Sequence, residues 1–325
     1  MKLLRKPPAL QKGDTIGILA PASPVRREML ERGARELERI GYRVAFGKGV
    51  LERRGFFAGE HKQRAESFLA LLENPRVQAV FCARGGYGSN YVVEILSSRP
   101  LLRRLQRQAP KIVMGYSDLT SLLLFLNQRL GWVTFQGPMA VIDFAAGKPA
   151  YDRTVLEQVL SGAHSGYSLE SDARSLRPGV AEGLLLGGCL PMLTATLGTP
   201  QEIDTRGTIL LIEDIDEKPF RVDRMLFQLR QAGKFRHVRG IVFGQMPGCG
   251  AAARGRAELH GVILEALRGL PVPIVFGVRF GHTTGKCLTL PMGTRARLSA
   301  GKKVRLTLLE PAVAPPSGTG KGKKH

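Results

Sequence analysis

Along the first half of the chain, short apolar runs alternate with longer stretches that are apolar on one side only. Thr15-Ile16-Gly17-Ile18-Leu19-Ala20 predicts a buried strand; after a loop with Pro21 and Pro24, the segment from about Arg26 to Ile40 predicts a helix. Arg43 to Phe46, Val77 to Ala83, Ile112-Val113-Met114 and Trp132 to Phe135 repeat the strand signature. His61 to Glu73, the stretch leading to Leu96, and Asp118 to Leu130, with apolar Leu119, Leu122, Leu123 and Leu126, repeat the helical one. This rhythm predicts an α/β fold with a mainly parallel sheet and helices on both faces, its ligands binding beyond the carboxyl ends of the strands. Two turns should reach that edge: the glycine-rich Arg84-Gly85-Gly86-Tyr87-Gly88-Ser89 and the junction at Ser117.

From about Ser161 to Pro178 the chain turns polar and rich in Gly and Ser, which suits a crossing between domains. Beyond it, strands are predicted at Thr208 to Ile212, Gly240 to Phe243 and Pro273 to Phe276, and helices at Arg221 to Gln231 and Arg256 to Leu267. Three short runs close the chain, Cys287 to Leu290, Arg295 to Leu298 and Val304 to Leu308, and suggest antiparallel strands in a smaller, β-rich second domain. The expected division is an N-terminal domain over 1–164, a linker over 165–178, a C-terminal domain over 179–310 and a disordered basic tail over 311–325.

Composition narrows the function classes. With 43% hydrophobic and 23% charged residues, the 325-residue chain can build a real core. It has no uncharged apolar run of about 18 residues, so no membrane span is expected, and the N-terminal stretch from Met1 to Pro8 does not read as a secretory signal. The four cysteines are scattered without a CxxC pair, which predicts buried thiols in a reducing cytoplasm and no zinc site. A net charge of +21 invites a nucleic-acid reading, but arginines and glutamates interleave from Arg26 to Arg43 as on a solvated helix face. Only the tail at Lys321 to Lys324 is purely basic. Specific nucleic-acid binding is therefore not expected, whereas a positive field favours small anionic substrates.

Ser117 lies where an apolar strand gives way to a helix, so its hydroxyl can be exposed on a tight turn with helix amides behind it. Gly115 leaves room for such a turn, while Leu119 stands where a strict nucleophile elbow has a small residue. The same stretch also reads as a helix start capped by Ser117. The turn Arg84 to Ser89 is either an oxyanion-binding loop or a tight turn at a helix start; it lacks the full spacing of a nucleotide loop. Glu213, Asp214, Asp216 and Glu217 follow an apolar strand, where one carboxylate, Glu213, can point inward while the others face water or hold Mg²⁺. His61 and His260 fall among charged helical residues and read as surface, His164 lies in the linker and His325 in the tail. His282, in the glycine-flanked loop Phe280-Gly281-His282-Thr283-Thr284-Gly285, is the candidate base.

A series of ordered motifs goes further: Gly13-Asp14-Thr15-Ile16 with Ala20-Pro21-Ala22-Ser23-Pro24, then Arg84 to Ser89, Gly115-Tyr116-Ser117-Asp118, and Gln136-Gly137-Pro138. Gly187-Gly188-Cys189-Leu190, Glu213-Asp214 with Pro219-Phe220-Arg221-Val222-Asp223-Arg224, and Phe280-Gly281-His282 complete it. With these, the chain resembles the LD-carboxypeptidase family of serine peptidases, which also contains the microcin C immunity peptidases, from Gly13 to about Leu308. The resemblance implies a flavodoxin-like N-terminal domain, a smaller β-rich C-terminal domain and a site between them. It implies Ser117 as nucleophile, Glu213 as the acid that orients the base, and His282 as the base. Backbone amides of Gly86 and Asp118 are then the expected oxyanion hole, and Arg84, Gly85 and Tyr87 the substrate-binding residues, with no cofactor and no metal. The implied substrate is a muropeptide whose terminal D-Ala is removed, in the cytoplasm, by an enzyme often found as a homodimer. In a microcin-type peptidase, aromatic side chains would stack a nucleobase; the linker region offers Tyr151 and Tyr167 but no Trp, and Trp132 falls in a strand, which tilts toward muropeptides.

Overall fold

The computed structural model describes residues 4–162, 168–171, 173–250 and 253–315, without the side chains of 168–171 and 253–256. Two sheets organise it. The first has the order Leu290–Met292, Thr134–Gln136, Ile112–Gly115, Ala79–Cys82, Thr15–Leu19, Arg43–Phe46. Every pairing is parallel except that of Leu290–Met292 with Thr134–Gln136. Taken in chain order, its five parallel strands run 5-4-3-1-2, the flavodoxin-like arrangement, whose topological switch point lies between Thr15–Leu19 and Ala79–Cys82. Ala79–Cys82 and Ile112–Gly115 are buried at every position, as strands covered on both faces must be.

The second sheet has eight strands. Gly179–Cys189, Thr208–Glu213, Gly240–Gly244 and Ile274–Val278 are parallel neighbours, flanked by antiparallel Arg295–Ala300 and Val304–Leu308. Its outermost strands are Ser168–Ser171, beside Val304–Leu308, and Arg174–Arg177, beside Ile274–Val278. Two strands almost consecutive in the chain thus form opposite edges of one sheet, so the sheet curls. The segment expected as a linker therefore supplies both edges, although its polar, Gly/Ser-rich composition hid its strands; His164 and Tyr167 lie outside the described residues.

The two halves share their cores. One apolar cluster runs from Val80, Val113 and Leu122 to Leu190, Ile212 and Phe243. The other runs from Ile18, Phe81 and Met114 to Leu211, Val242 and Leu290. Between the halves lies helix Thr120–Leu130, buried at every position from Thr120 to Asn127. It packs against helix Ser89–Leu96 and against helix Leu190–Ala195 and strand Gly179–Cys189. A helix covered on all sides needs no polar stripe, which is why its sequence is apolar well beyond Leu119, Leu122, Leu123 and Leu126. Thr120 Oγ1 accepts a 2.9 Å hydrogen bond from the Cys189 amide and so ties the second sheet to this helix.

The fold continues past the expected boundary at residue 310. Ala312 and Val313 are buried, and Ala314 exchanges backbone hydrogen bonds with the N-terminal segment, Ala314 N to Pro7 O and Ala9 N to Ala314 O. The part of the expected disordered tail up to Pro315 is thus packed, because two apolar residues and a neighbouring strand-like segment suffice to order it; 316–325 lie outside the described residues. Truncation after Glu310 removes these contacts and should lower unfolding free energy by roughly 3 kcal/mol, the worth of one buried Val and two backbone hydrogen bonds. A urea midpoint unchanged from the full chain would contradict it.

Candidate active site

Strands Ala79–Cys82 and Ile112–Gly115 are paired and parallel, so the turns that follow them emerge at one edge. Ser117 follows the second strand with φ of +66°, a left-handed conformation rare for a residue with a side chain. Residues 117–119 form a 3₁₀ turn before the α-helix begins at Thr120, and neither has a side-chain cap. Ser117 therefore does not serve as a helix cap. Leu119 is fully buried, and its Cδ1 occupies the space that a Cβ on Gly115 would need. The bulky residue after the serine is accommodated because the glycine before it is bare.

The glycine-rich turn folds directly onto this serine. A Cβ on Gly85 would stand 3.0 Å from Ser117 Cβ and 3.2 Å from its Oγ. Three side chains hold the turn in place. The buried Asp118 carboxylate accepts from the amides of Gly88 (3.2 Å) and Ser89 (2.8 Å), and the Asp118 carbonyl accepts from Ser89 Oγ (2.6 Å). Ser23 Oγ accepts from the Tyr87 amide at 3.0 Å. Arg64, also buried, donates to the carbonyls of Gly88 and Pro21. Burial pulls the Arg64 pKa down, and the charge of Asp118 pulls it back. The amides of Gly88 and Ser89 are helix-start donors that need an acceptor, and Asp118 supplies it from the residue after the serine.

Glu213 ends strand Thr208–Glu213 and is completely buried. Its Oε2 accepts from His282 Nδ1 at 2.7 Å and from the His282 backbone amide at 3.0 Å. Gly281, at φ +66°, passes so close that a Cβ there would lie 2.5 Å from the carboxylate. The His282 side chain keeps 17% exposure. With Nδ1 donating to Glu213, the neutral form of the imidazole keeps its lone pair on Nε2. Tyr116, next to Ser117, meets the imidazole edge-on with ring centroids 5.1 Å apart. This contact links the serine turn of the first sheet to the Glu213–His282 pair of the second.

Around this pair the charges are unusual. Burial pulls the His282 pKa down, but the Glu213 hydrogen bond and the charges of Glu213, Asp214 and Asp143 outweigh it and leave it raised. Asp143 is pushed up to about 6, chiefly by burial, although the Met139 amide and the Tyr116 hydroxyl side oppose this. Asp214 is pushed up to about 7 by burial and by the neighbouring Glu213 and Glu217 charges. The Cys189 thiol, one strand over at the register position of Glu213, is raised well above its ordinary value by burial and then by Glu213 and Asp214.

Each sequence-derived candidate can now be located. Arg84, Gly85, Gly86, Ser117 and Asp118 share one turn-and-helix junction, and Glu213 and His282 pair across from it. Tyr87 is on the same turn and half exposed. Asp214, expected to face water with Asp216 and Glu217, is instead buried, because strand Thr208–Glu213 is covered on both faces and neither side of its end meets water. Among the described residues no group of three or more His, Cys, Asp or Glu side chains could hold a metal ion. His61 and His260 are not plain surface residues: His61 stacks on Tyr91, and His260 packs against Phe276. Tyr151 is buried with its hydroxyl donating to Glu36 Oε1, and Trp132 is buried, so neither presents a stacking face. Sequence reasoning missed the side chains of Asp118, Arg64, Ser23 and Asp143. The motif Ala20 to Pro24 and the Asp directly after Ser117 were available as signals, whereas nothing in the local pattern marks Arg64 or Asp143.

Comparison with known proteins identifies the family of the chain. A family model described as the LD-carboxypeptidase N-terminal domain matches residues 16–137, and one for the LD-carboxypeptidase C-terminal domain matches residues 182–298. The chain is 36% identical over 301 residues to a probable murein peptide carboxypeptidase of Bacillus subtilis, covering 92% of both chains. A crystal structure of muramoyltetrapeptide carboxypeptidase from Oxalobacter formigenes superposes with a TM-score of 0.79 at 30% identity, covering 93% of this chain and 100% of that one. The microcin C7 self-immunity protein MccF, in complex with aspartyl sulfamoyl adenosine, superposes with a TM-score of 0.84 at 26% identity, covering 95% of this chain and 99% of that one.

Two outcomes follow for stability. Asp118→Ala strands the buried amides of Gly88 and Ser89 and should cost on the order of 3 kcal/mol in urea unfolding, with Asp118→Asn closer to wild type; equal stability of the alanine variant would refute the pinning role. Asp214 is held protonated in the fold at a pH where the unfolded chain ionises it, so its contribution favours the fold in acid and is lost as pH rises from about 4 to about 7. Asp214→Asn should flatten the fall in stability across that window, and an unchanged slope would show that Asp214 does not cause it.

Proposed function

Because the chain belongs to the LD-carboxypeptidase family, we propose that it is a serine carboxypeptidase that hydrolyses the L,D amide bond before the terminal D-Ala of a peptidoglycan tetrapeptide. Murein recycling in the cytoplasm, by a homodimer, is the setting that fits this reaction. The observation that carries the reading is the 2.7 Å bond between His282 Nδ1 and the buried Glu213, linked through the Tyr116 ring to a serine turned to φ +66°.

In this mechanism His282 Nε2 takes the proton of Ser117 as Oγ bonds to the carbonyl carbon of the residue before D-Ala. The carbonyl π electrons move to oxygen, and the oxyanion is received by the amides of Asp118, which follows the serine, and of Gly86, which follows the Gly85 that packs on it. As the C–N bond breaks, Nε2–H protonates the leaving amine, and D-Ala departs. Water then attacks the acyl-enzyme, giving one proton to His282, which returns it to Ser117 Oγ as the ester opens. Glu213 fixes the tautomer and supplies the counter-charge each time the imidazolium forms. A desolvated carboxylate is effective here because little solvent screens it.

A second reading has one specific observation in its favour. Phe56 and Tyr87 are exposed aromatics on the cavity beside the glycine-rich turn, where they could stack the base of an aminoacyl nucleotide, the kind of ligand bound in the MccF complex. Release of free D-Ala from murein tetrapeptide, against release of an amino acid from an aminoacyl sulfamoyl adenosine, separates the two.

Ser117→Ala should reduce kcat by about 10⁴-fold or more with an unchanged melting temperature. Glu213→Gln should reduce it by about 10²–10⁴-fold and do something further. The rate requires neutral imidazole, so kcat/KM rises with pH through the His282 pKa, which Glu213 raises; Glu213→Gln should move that acid limb to lower pH. Loss of activity in Glu217→Gln with a normal Glu213→Gln enzyme would transfer the orienting role to Glu217.

A further inference from the structure

Strand Thr134–Gln136 lies parallel to Ile112–Gly115 with Gln136 in register with Gly115, so the chain that follows it emerges at the same edge as the Ser117 turn. That chain starts with the motif Gln136-Gly137-Pro138 and enters a single π-helical turn at Ala140–Phe144. Turns of this kind are rare and concentrate at functional sites. The Val141 amide donates at 2.9 Å to the carbonyl of Ala83, the residue before the glycine-rich turn. The acid of the π turn is Asp143, which is buried.

The two oxygens of Asp143 have separate partners. Oδ2 accepts at 2.8 Å from the amide of Met139, the residue that opens the turn. Oδ1 accepts from the Tyr116 hydroxyl in a long hydrogen bond of 3.5 Å. The buried Tyr116 in turn sets its ring at 86° to the His282 imidazole. This relay meets a need that Glu213 leaves open. The bond from His282 Nδ1 to Glu213 fixes one atom of the imidazole, while the torsion that turns the ring is soft. A contact away from Nδ1 is required to hold the ring plane, and the Tyr116 ring makes one. The tyrosine ring has a soft torsion of its own, which the bond to Asp143 restrains.

We propose that Asp143 is a positioning residue for the reaction: through Tyr116 it holds the plane of the His282 imidazole, and its carboxylate adds a second negative charge to that of Glu213 when the imidazolium forms. This deepens the proposed function and rests on it for the role of His282 as base. Asp143 touches no reacting atom. The groups that act on His282 are Glu213 and Asp214 at the end of strand Thr208–Glu213, Asp143 on the π turn, and the Tyr116 ring. The Cys287 thiol, just past the histidine loop, faces Asp143 and Glu213 and is kept neutral by burial. Burial pushes Asp143 up to about 6, so most of it is ionised at neutral pH.

Asp143→Asn removes the charge and keeps the shape; Tyr116→Phe removes the hydroxyl and keeps the ring. In the full chain carrying Ser117→Ala, NMR of the His282 ring protons reads its titration without turnover. Asp143→Asn should lower the His282 pKa, because a nearby carboxylate favours the imidazolium, whereas Tyr116→Phe should leave it nearly in place. In turnover of murein tetrapeptide, each variant should lower kcat about tenfold with KM unchanged, as an imidazole turned out of line would. The double variant should lose no more than either single one, since both act along one relay. Asp143→Asn should also move the acid limb of kcat/KM to lower pH and keep a melting temperature near wild type, since it removes a charge that burial disfavours. Full kcat in both variants, additive losses in the double variant, or an unmoved His282 pKa in Asp143→Asn would overturn the proposal. A fall in kcat that comes with a lower melting temperature and an unmoved His282 pKa would assign Asp143 a purely structural role and overturn it too. Should Asp143→Asn fail to fold, Tyr116→Phe decides alone, and a wild-type kcat there rejects the relay. A His282 pKa that depends on Asp143 in a protein that cleaves no murein tetrapeptide would leave the relay standing and remove the proposed reaction instead.

Discussion

The site depends first on one carboxylate that does no chemistry. Asp118 reaches from the residue after Ser117 to the first free amides of helix Ser89–Leu96. A helix start needs acceptors for its N–H groups and favours negative charge; the strained serine turn needs something to hold it at positive φ. One side chain answers both needs, and it fixes the distance between the glycine-rich turn and the serine. Arg64 completes the arrangement from the other side by taking the carbonyls of Gly88 and Pro21, and it balances the buried charge of Asp118. A buried pair of this kind is a costly way to gain stability and a good way to fix a single geometry.

A second constraint comes from concentrating acids near one histidine. Glu213, Asp214 and Asp143 all act on His282, and two of them are pushed up to about 7 and about 6 by burial. A carboxyl that is protonated near neutral pH contributes a dipole rather than a full charge, so the imidazole faces Glu213, to which it is hydrogen-bonded, and two groups that follow the pH. Tyr116 stands between Asp143 and the imidazole: its hydroxyl lies 3.5 Å from the carboxylate, and its ring edge meets His282. The residue preceding the serine thus positions His282 as well.

Much of this was legible in the sequence because it rests on local chemistry. A buried β-branched strand followed by Gly-Tyr-Ser-Asp, and an apolar strand ending in Glu213, are patterns whose physical meaning is short-range. The parallel strands of the first half, and the positions of Thr208–Glu213, Gly240–Gly244 and Ile274–Val278 in the second, were readable for the same reason; that the latter three are parallel was not. Less legible were features set by packing at long range. Leu290–Met292 reads as the first of three antiparallel strands, yet it crosses to pair with Thr134–Gln136. The strand Gly179–Cys189 is broken by glycines that hide its eleven residues, and the two edge strands lie in a polar stretch that resembles a linker. Arg64 looks like any arginine on an amphipathic helix until the carbonyls it satisfies are known. Ala312 and Val313 are too few to announce a packed segment, and only their neighbours make them one.

Under the proposed function, the arrangement separates chemistry from recognition. Ser117, Glu213 and His282 sit on strand ends and a helix buried on all sides, where a shift of any element would disturb both apolar clusters. The cavity at the switch point is bounded by loops and by exposed Arg26, Arg53 and Phe56, which touch little of the core. Substitutions there cost little stability, because exposed side chains contribute little to it, yet they change the charge and aromatic character that a substrate meets. A fold built in this way can keep one acyl-transfer centre while its ligands change between anionic peptides and aminoacyl nucleotides.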